Sequence, residues 1–148
     1  MDIVAPAGAA LRSEDKRMTG LIESYYAAFN HGDVEAMLDL LDENVVHEPC
    51  QGSPREGLGK FREFLEHMNR CYKERVIEPL ILYSPAETHA AAEFFLEGKY
   101  LKTDGDLPAA RGQHYHLRVG AFFEIGGNRI TRVTNHYNLQ DWIDQVSA

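Results

Sequence analysis

Apolar positions recur at helical spacing in the first half of the chain and alternate with polar ones in the second. That change of period predicts helices followed by a sheet, the segregated order of an α+β domain. Ser13 is a plausible cap with Asp15 in the first turn, and Leu21, Ile22, Tyr25, Tyr26 and Phe29 share a helical face. Gly32 suits the left-handed position that ends this helix. Asp33 caps a second helix with apolar face Met37, Leu38, Leu40 and Leu41; Ala36 in place of an acid or amide leaves the capping box incomplete. Residues 45–48 form a short strand before Pro49, residues 51–59 a loop, and residues 59–72 a helix packed through Phe61, Phe64, Leu65 and Met68. Strands are expected at 75–83, 89–101, 114–125 and 129–137. A polar loop at 103–112 interrupts them, and a tight turn at Gly126, Gly127 and Asn128 joins the last two. Asn138 caps a final helix over 139–146. The order ααβαββββα places a bent antiparallel sheet over helices with a cavity between them.

The hairpin assigns faces. A turn over Gly126, Gly127 and Asn128 pairs Ala121 with Val133, Val119 with Asn135 and Leu117 with Tyr137. Opposite residues share a face. One face then carries Tyr115, Leu117, Val119, Ala121, Phe123, Val133, Asn135 and Tyr137, an apolar wall with an amide and two phenols that suits a small-molecule pocket. An ordinary core with phenols at its edge has the same pattern, and Asn135 distinguishes the two because a lone buried amide needs partners. The other face carries His114, His116, Arg118, Phe122, Glu124, Arg132, Thr134 and His136. Imidazoles so spaced can bind zinc or nickel, but an all-histidine set on an exposed sheet face is a weak signal and no metal is expected.

With 148 residues and 44% apolar composition the chain fits one domain, residues 14–148 after a loose tail at 1–13. Its net charge of -8 disfavours nucleic acid. No apolar run is long enough for a membrane span, the N-terminus lacks a basic signal region, and two cysteines make no disulfide framework or zinc pattern, so a cytoplasmic location is expected. Cys71, near a helix end, reads as packing, and Cys50 as a residue at the pocket mouth. No phosphate-binding glycine loop occurs, so no cofactor is expected.

Three segments carry a resemblance: YYAAFNHGDVEAM, VVHEPCQGSPREG and GAFFEIGGNRITRVTNHYNLQDWIDQV. They resemble the nuclear transport factor 2-like superfamily, in particular ketosteroid isomerase-related and SnoaL-like proteins. The resemblance implies a cone-shaped α+β fold with a pocket inside, and a homodimer paired through the outer sheet face that carries His114, His116 and His136. It places the family's substrate-binding tyrosine at Tyr25 and its carboxylate base at Glu48, where the isomerases usually have Asp. The second oxyanion donor falls on Ala121 and is absent. The Arg and Asp of the related limonene epoxide hydrolases fall near Phe94 and Leu96, and their last-strand Asp on Asn135, which argues against epoxide hydrolysis.

Moving a proton next to a carbonyl needs a base at carbon and a donor at oxygen. The resemblance therefore implies an isomerase-like or cyclase-like enzyme acting on a hydrophobic carbonyl compound, with Glu48 as base and Tyr25 as donor. Strand alternation sets Val46 and Glu48 on one face and His47 on the other, and the expectation is that Glu48 faces the pocket. Two rival readings are a non-catalytic binder of a hydrophobic molecule and a protein-interaction module using the outer sheet face. In GSPREG, Gly52, Pro54 and Gly57 make a turn.

Overall fold

The computed structural model describes residues 20–148; the expected cap at Ser13, the first-turn Asp15 and the tail at 1–13 lie outside them. Helix α1 (Leu21–Asn30) buries Leu21, Ile22, Tyr25, Tyr26 and Ala28. It ends where Gly32 takes φ +68°, a conformation that costs glycine little. Helix α2 (Val34–Asp39) starts at Asp33, whose carboxylate accepts the Ala36 N–H at 3.0 Å. It is shorter than expected. Leu41 opens strand β1 (Leu41–Glu48) and pairs with Ile130, so strand pairing overrides the helical period there. The expected loop at 51–59 contains a two-residue strand, β2 (Arg55–Glu56). Helix α3 (Leu58–Cys71) buries Phe61, Leu65 and Cys71.

The remaining strands are β3 (Tyr72–Tyr83), β4 (His89–Tyr100), β5 (His114–Gly126) and β6 (Arg129–Tyr137). Helix α4 (Leu139–Ser147) follows, capped by Asn138, which accepts the Asp141 N–H. The strands form one open sheet in the order β2-β1-β6-β5-β4-β3. Every pairing is antiparallel except β1 with β6. Bulges bend it. In β3 the register shifts between Ile77 and Leu80, where Glu78 has φ +48°. Pro79 is tolerated there because β3 is an edge strand.

The hairpin register differs from the sequence expectation by two residues. Gly127 and Asn128 alone form the turn, with φ +58° and +63°, and a bulge follows between Glu124 and Ile125. Val119 therefore faces Tyr137, Ala121 faces Asn135 and Phe123 faces Val133. A shift of two preserves which side chains share a face. The expected inner face is accordingly the buried one: Tyr115, Leu117, Val119, Ala121, Phe123 and Val133 are core residues, while Asn135 and Tyr137 are half-buried. No helix among the described residues is long and apolar enough to cross a membrane.

Candidate functional site

One row of residues crosses three strands at the end of the inner face nearest α4. Glu74 in β3 stands opposite Gly98 in β4, and Gly98 stands opposite Tyr115 in β5. A Cβ on Gly98 would lie 2.1 Å from Tyr115 Cζ, so the phenol ring occupies the space that a side chain would take. Glycine at this position lets Tyr115 lie across β4 and donate its hydroxyl proton to Glu74 Oε2 at 2.5 Å. Aromatic rings close around the pair. Tyr72 stacks on Tyr100 with centroids 5.3 Å apart, and Trp142 from α4 sits edge-on to Tyr100, Tyr115 and Tyr72.

This surrounding shields Glu74 from water, and among the described residues no cation offsets that burial. Burial pushes its carboxyl up to about 7, with the Tyr115 hydrogen bond opposing part of that rise. Glu74 is nonetheless only half-buried, so part of the residue still meets solvent. Burial raises the neighbouring phenols as well: Tyr137 to about 12, with Cys50, Glu74 and Asp104 adding negative potential, and Tyr115 far above its ordinary value. Near neutral pH the carboxyl therefore exchanges its proton while the phenols keep theirs. That combination of a base and nearby donors can move protons.

Glu48 occupies a different place. The alternation expected in β1 is observed, but the face is the opposite one: Val45 and His47 are buried at 0% and 1% exposure. Glu48 pairs alongside Thr134 on the outer face. It accepts a hydrogen bond from Thr134 Oγ1 at 2.7 Å and an ion pair from Arg132 at 2.8 Å. These bonds hold its carboxyl below the ordinary glutamate value. It lines an open depression of about 540 Å³ with Phe122, Glu124 and Arg132. An ion-paired, solvated carboxylate is a weak base, and Glu48 stands on the face of the sheet opposite the one expected.

Tyr25 is in the interior, edge-on to Phe123 at 5.8 Å and 6% exposed, and burial raises its phenol strongly. Phe123 lies eight residues along β5 from Tyr115, about 26 Å of strand. Tyr25 and Glu74 therefore belong to opposite ends of the inner face. His47 takes the inward position expected of Glu48. It packs against Phe61 and Phe64 with ring centroids at 4.6 and 4.5 Å, and its Nδ1 is buried without a hydrogen-bond partner, as is the Tyr26 hydroxyl. Burial, reinforced by Arg55, lowers His47 to about 4, so the ring is neutral near pH 7. Of the expected wall residues, Tyr115 stands at the Glu74 end, Val119 and its partner Tyr137 lie between, with the Tyr137 phenol still feeling the Glu74 charge, and Ala121, Phe123, Val133 and Asn135 line the end near Tyr25.

The sequence carried a signal for Glu74. Tyr72, Glu74 and Val76 alternate onto one face, and an acid between an aromatic and a valine on an inward face is unusual. The signal is lost when the strand is started at Arg75, because the alternation then has too few members to read.

A bent open sheet packed on helices is the architecture of the nuclear transport factor 2-like class of α+β cones. The SnoaL-like domain model matches residues 22–133, and the chain belongs to that family. Two solved bacterial structures named as candidate polyketide cyclases are similar throughout. That from Pseudomonas putida KT2440 is 49% identical with TM-score 0.86, over 87% of this chain and 97% of its own. That from Silicibacter sp. TM1040 is 47% identical with TM-score 0.87, over 90% and 97%. A nuclear transport factor 2-like protein from Burkholderia pseudomallei K96243 shares the fold at TM-score 0.75 and 15% identity, over 89% of this chain and 98% of its own. The chain matches no curated protein.

Proposed function

We propose that this protein catalyses carboxylate-mediated proton transfer on a hydrophobic carbonyl compound, with Glu74 as the base, in a cyclase-type reaction. The observation that carries the reading is the Glu74 carboxyl, pushed up to about 7 by burial on the inner face and held by Tyr115 across Gly98. The SnoaL-like family and the near-half identity to structures named as candidate polyketide cyclases support the class of reaction.

The steps follow from the groups present. Glu74 as carboxylate removes a proton from the carbon beside a ketone, and the electron pair moves to the ketone oxygen as an enolate. A phenol donates a hydrogen bond to that oxygen. Tyr137 suits this role because its hydroxyl remains protonated at neutral pH and it lies within the electrostatic reach of Glu74. The enolate carbon attacks a second carbonyl of the same molecule, closing a ring, and the new alkoxide takes back the proton held on Glu74. Tyr115 fixes the carboxyl for both transfers. The balance requires no oxidant or reductant. Tyr137 thereby replaces the missing donor at Ala121, and Tyr25 has no part in the step.

Proton abstraction can be read without the natural substrate. Hydrophobic 1,3-diketones and aryl ketones are incubated with the protein in deuterated water, and loss of the α-proton signal is followed by NMR. The wild type is expected to accelerate exchange, and Glu74→Gln to lose roughly 10²- to 10⁴-fold of that acceleration. Equal exchange in wild type and Glu74→Gln would overturn the assignment. Ligand-induced shifts without any exchange would instead favour the binder.

A further inference from the structure

Three side chains that proton transfer leaves unused converge beside the acid–phenol site. His67 and Cys71 lie one turn apart on α3, and Asp104 comes from the loop between β4 and β5. His67 Nε2 is 2.8 Å from Asp104 Oδ1 and 4.0 Å from Cys71 Sγ, and all three ligand atoms lie within 4.8 Å of one another. We propose that His67, Cys71 and Asp104 form a binding site for a divalent transition-metal ion of the zinc type, with a fourth position open to solvent.

A thiol, an imidazole and a carboxylate gathered this way can also mean a nucleophile triad, and the geometry decides against it. In a relay the acid holds one ring nitrogen and the nucleophile faces the other. Here a single nitrogen, Nε2, faces both Asp104 and Cys71. One nitrogen cannot orient and deprotonate at once, but three donor atoms aimed at one point are what a metal needs.

Tetrahedral zinc bonds of about 2.3 Å to sulfur and 2.0 Å to nitrogen or oxygen separate sulfur from nitrogen by about 3.6 Å and nitrogen from oxygen by about 3.3 Å. The observed 4.0 and 2.8 Å each require movement of roughly half an ångström, within the reach of side-chain torsions. The donor set mixes a soft thiolate with imidazole and carboxylate, which suits zinc rather than magnesium or calcium. Thiolate and carboxylate with a neutral imidazole would balance the ion's two charges.

Asp104 is held in place from outside the triad. Its second oxygen, Oδ2, accepts the Tyr72 hydroxyl at 2.7 Å, and its backbone N–H donates to the Tyr100 hydroxyl at 2.9 Å. Partners of this kind orient metal-binding carboxylates. The side chains of His67 and Asp104 remain 44% and 23% exposed, while Cys71 is buried at 3%. The ion would therefore enter from the solvent side and keep a water there.

The test uses cobalt(II) as the probe and zinc as competitor. The full chain titrated with cobalt(II) is expected to develop a thiolate-to-cobalt charge-transfer absorption that saturates at one ion per chain and is displaced by zinc. Cys71→Ala should abolish the absorption, whereas Cys50→Ser should retain it. His67→Ala changes a half-exposed side chain, leaves the core intact, and should weaken zinc binding in calorimetry by tenfold or more. Absence of the absorption in wild type, its loss in Cys50→Ser but not Cys71→Ala, or zinc affinity unchanged in His67→Ala would each overturn the site. None of these readouts depends on proton exchange, so the outcome is independent of whether Glu74 is the base.

Discussion

Glu74 and His47 are both ionisable groups on the inner face of the sheet, and burial shifts them in opposite directions. The Glu74 carboxyl rises from 4.5 to about 7, so the folded chain holds that proton more tightly than the unfolded one. Its stabilising contribution is full below about 4.5 and is lost as the pH rises to about 7. The His47 imidazole falls from 6.5 to about 4, so its contribution is full above 6.5 and is lost as the pH falls toward 4. Each effect is on the order of 3 kcal/mol across its window. The two slopes nearly cancel between pH 4.5 and 6.5. Glu74→Gln is expected to unmask the histidine slope, so that urea midpoints fall on acidification through this range. His47→Gln is expected to unmask the glutamate slope, with midpoints falling as the pH rises. Midpoint profiles for both variants that parallel the wild type would contradict this account.

At the scale of the element, the acid–phenol site depends on a cross-strand packing rule more than on any one residue. Gly98 is paired with both Glu74 and Tyr115, and its missing side chain is the space in which the Tyr115 ring lies. Gly98→Ala places a Cβ 2.1 Å from the ring, so the ring must leave and the hydrogen bond to Glu74 must break. We expect a loss of about 1–3 kcal/mol in urea unfolding together with loss of proton exchange. In a Tyr115→Ala background the same substitution should cost much less, because the ring it displaces is already gone. Additive costs would show that the clash is not the cause.

Element positions were largely legible in the sequence for the same physical reason. Alternation places Tyr115, Leu117, Val119, Ala121 and Phe123 inward, and that parity survived a two-residue error in the hairpin register. The register itself depended on a bulge beside Glu124, which no periodicity announces. Leu41 fits a helix and a strand equally well as an apolar residue, and only its pairing with Ile130 decides. The site was less legible. Which face of β1 turns inward depends on its parallel pairing with β6, a contact between residues 86 apart such as Glu48 and Thr134, and the family resemblance pointed to the wrong face. Asp104 is likewise brought to His67 across 37 residues, so cysteine spacing alone could not bring the three proposed ligands together.

At the scale of the whole molecule, the outer face of the sheet is covered by no described helix and has an apolar stripe. Leu82, Ala91 and Phe122 stand in one row across β3, β4 and β5, with Leu82 60% and Phe122 55% exposed. Phe95 is also exposed there and stacks on His116 at 4.7 Å. Charges of both signs flank the stripe: Arg118 with Glu93 on one side and Arg132 with Glu48 and Glu124 on the other. A surface that is apolar at the centre and carries both signs at the rim can pair with its own copy about a two-fold axis, which allows opposite charges to be brought together across the contact. A second copy of this chain is therefore the expected occupant, and light scattering should report a particle of twice the 16.8 kDa chain mass. Phe122→Glu should shift it to the monomer by burying an unpaired charge at the centre of the contact. Because Phe122 points away from Glu74, the monomeric variant should still exchange α-protons. A wild type that runs as a monomer would leave the stripe without this partner, and loss of exchange in a folded monomer would mean that the second copy helps to shape the site.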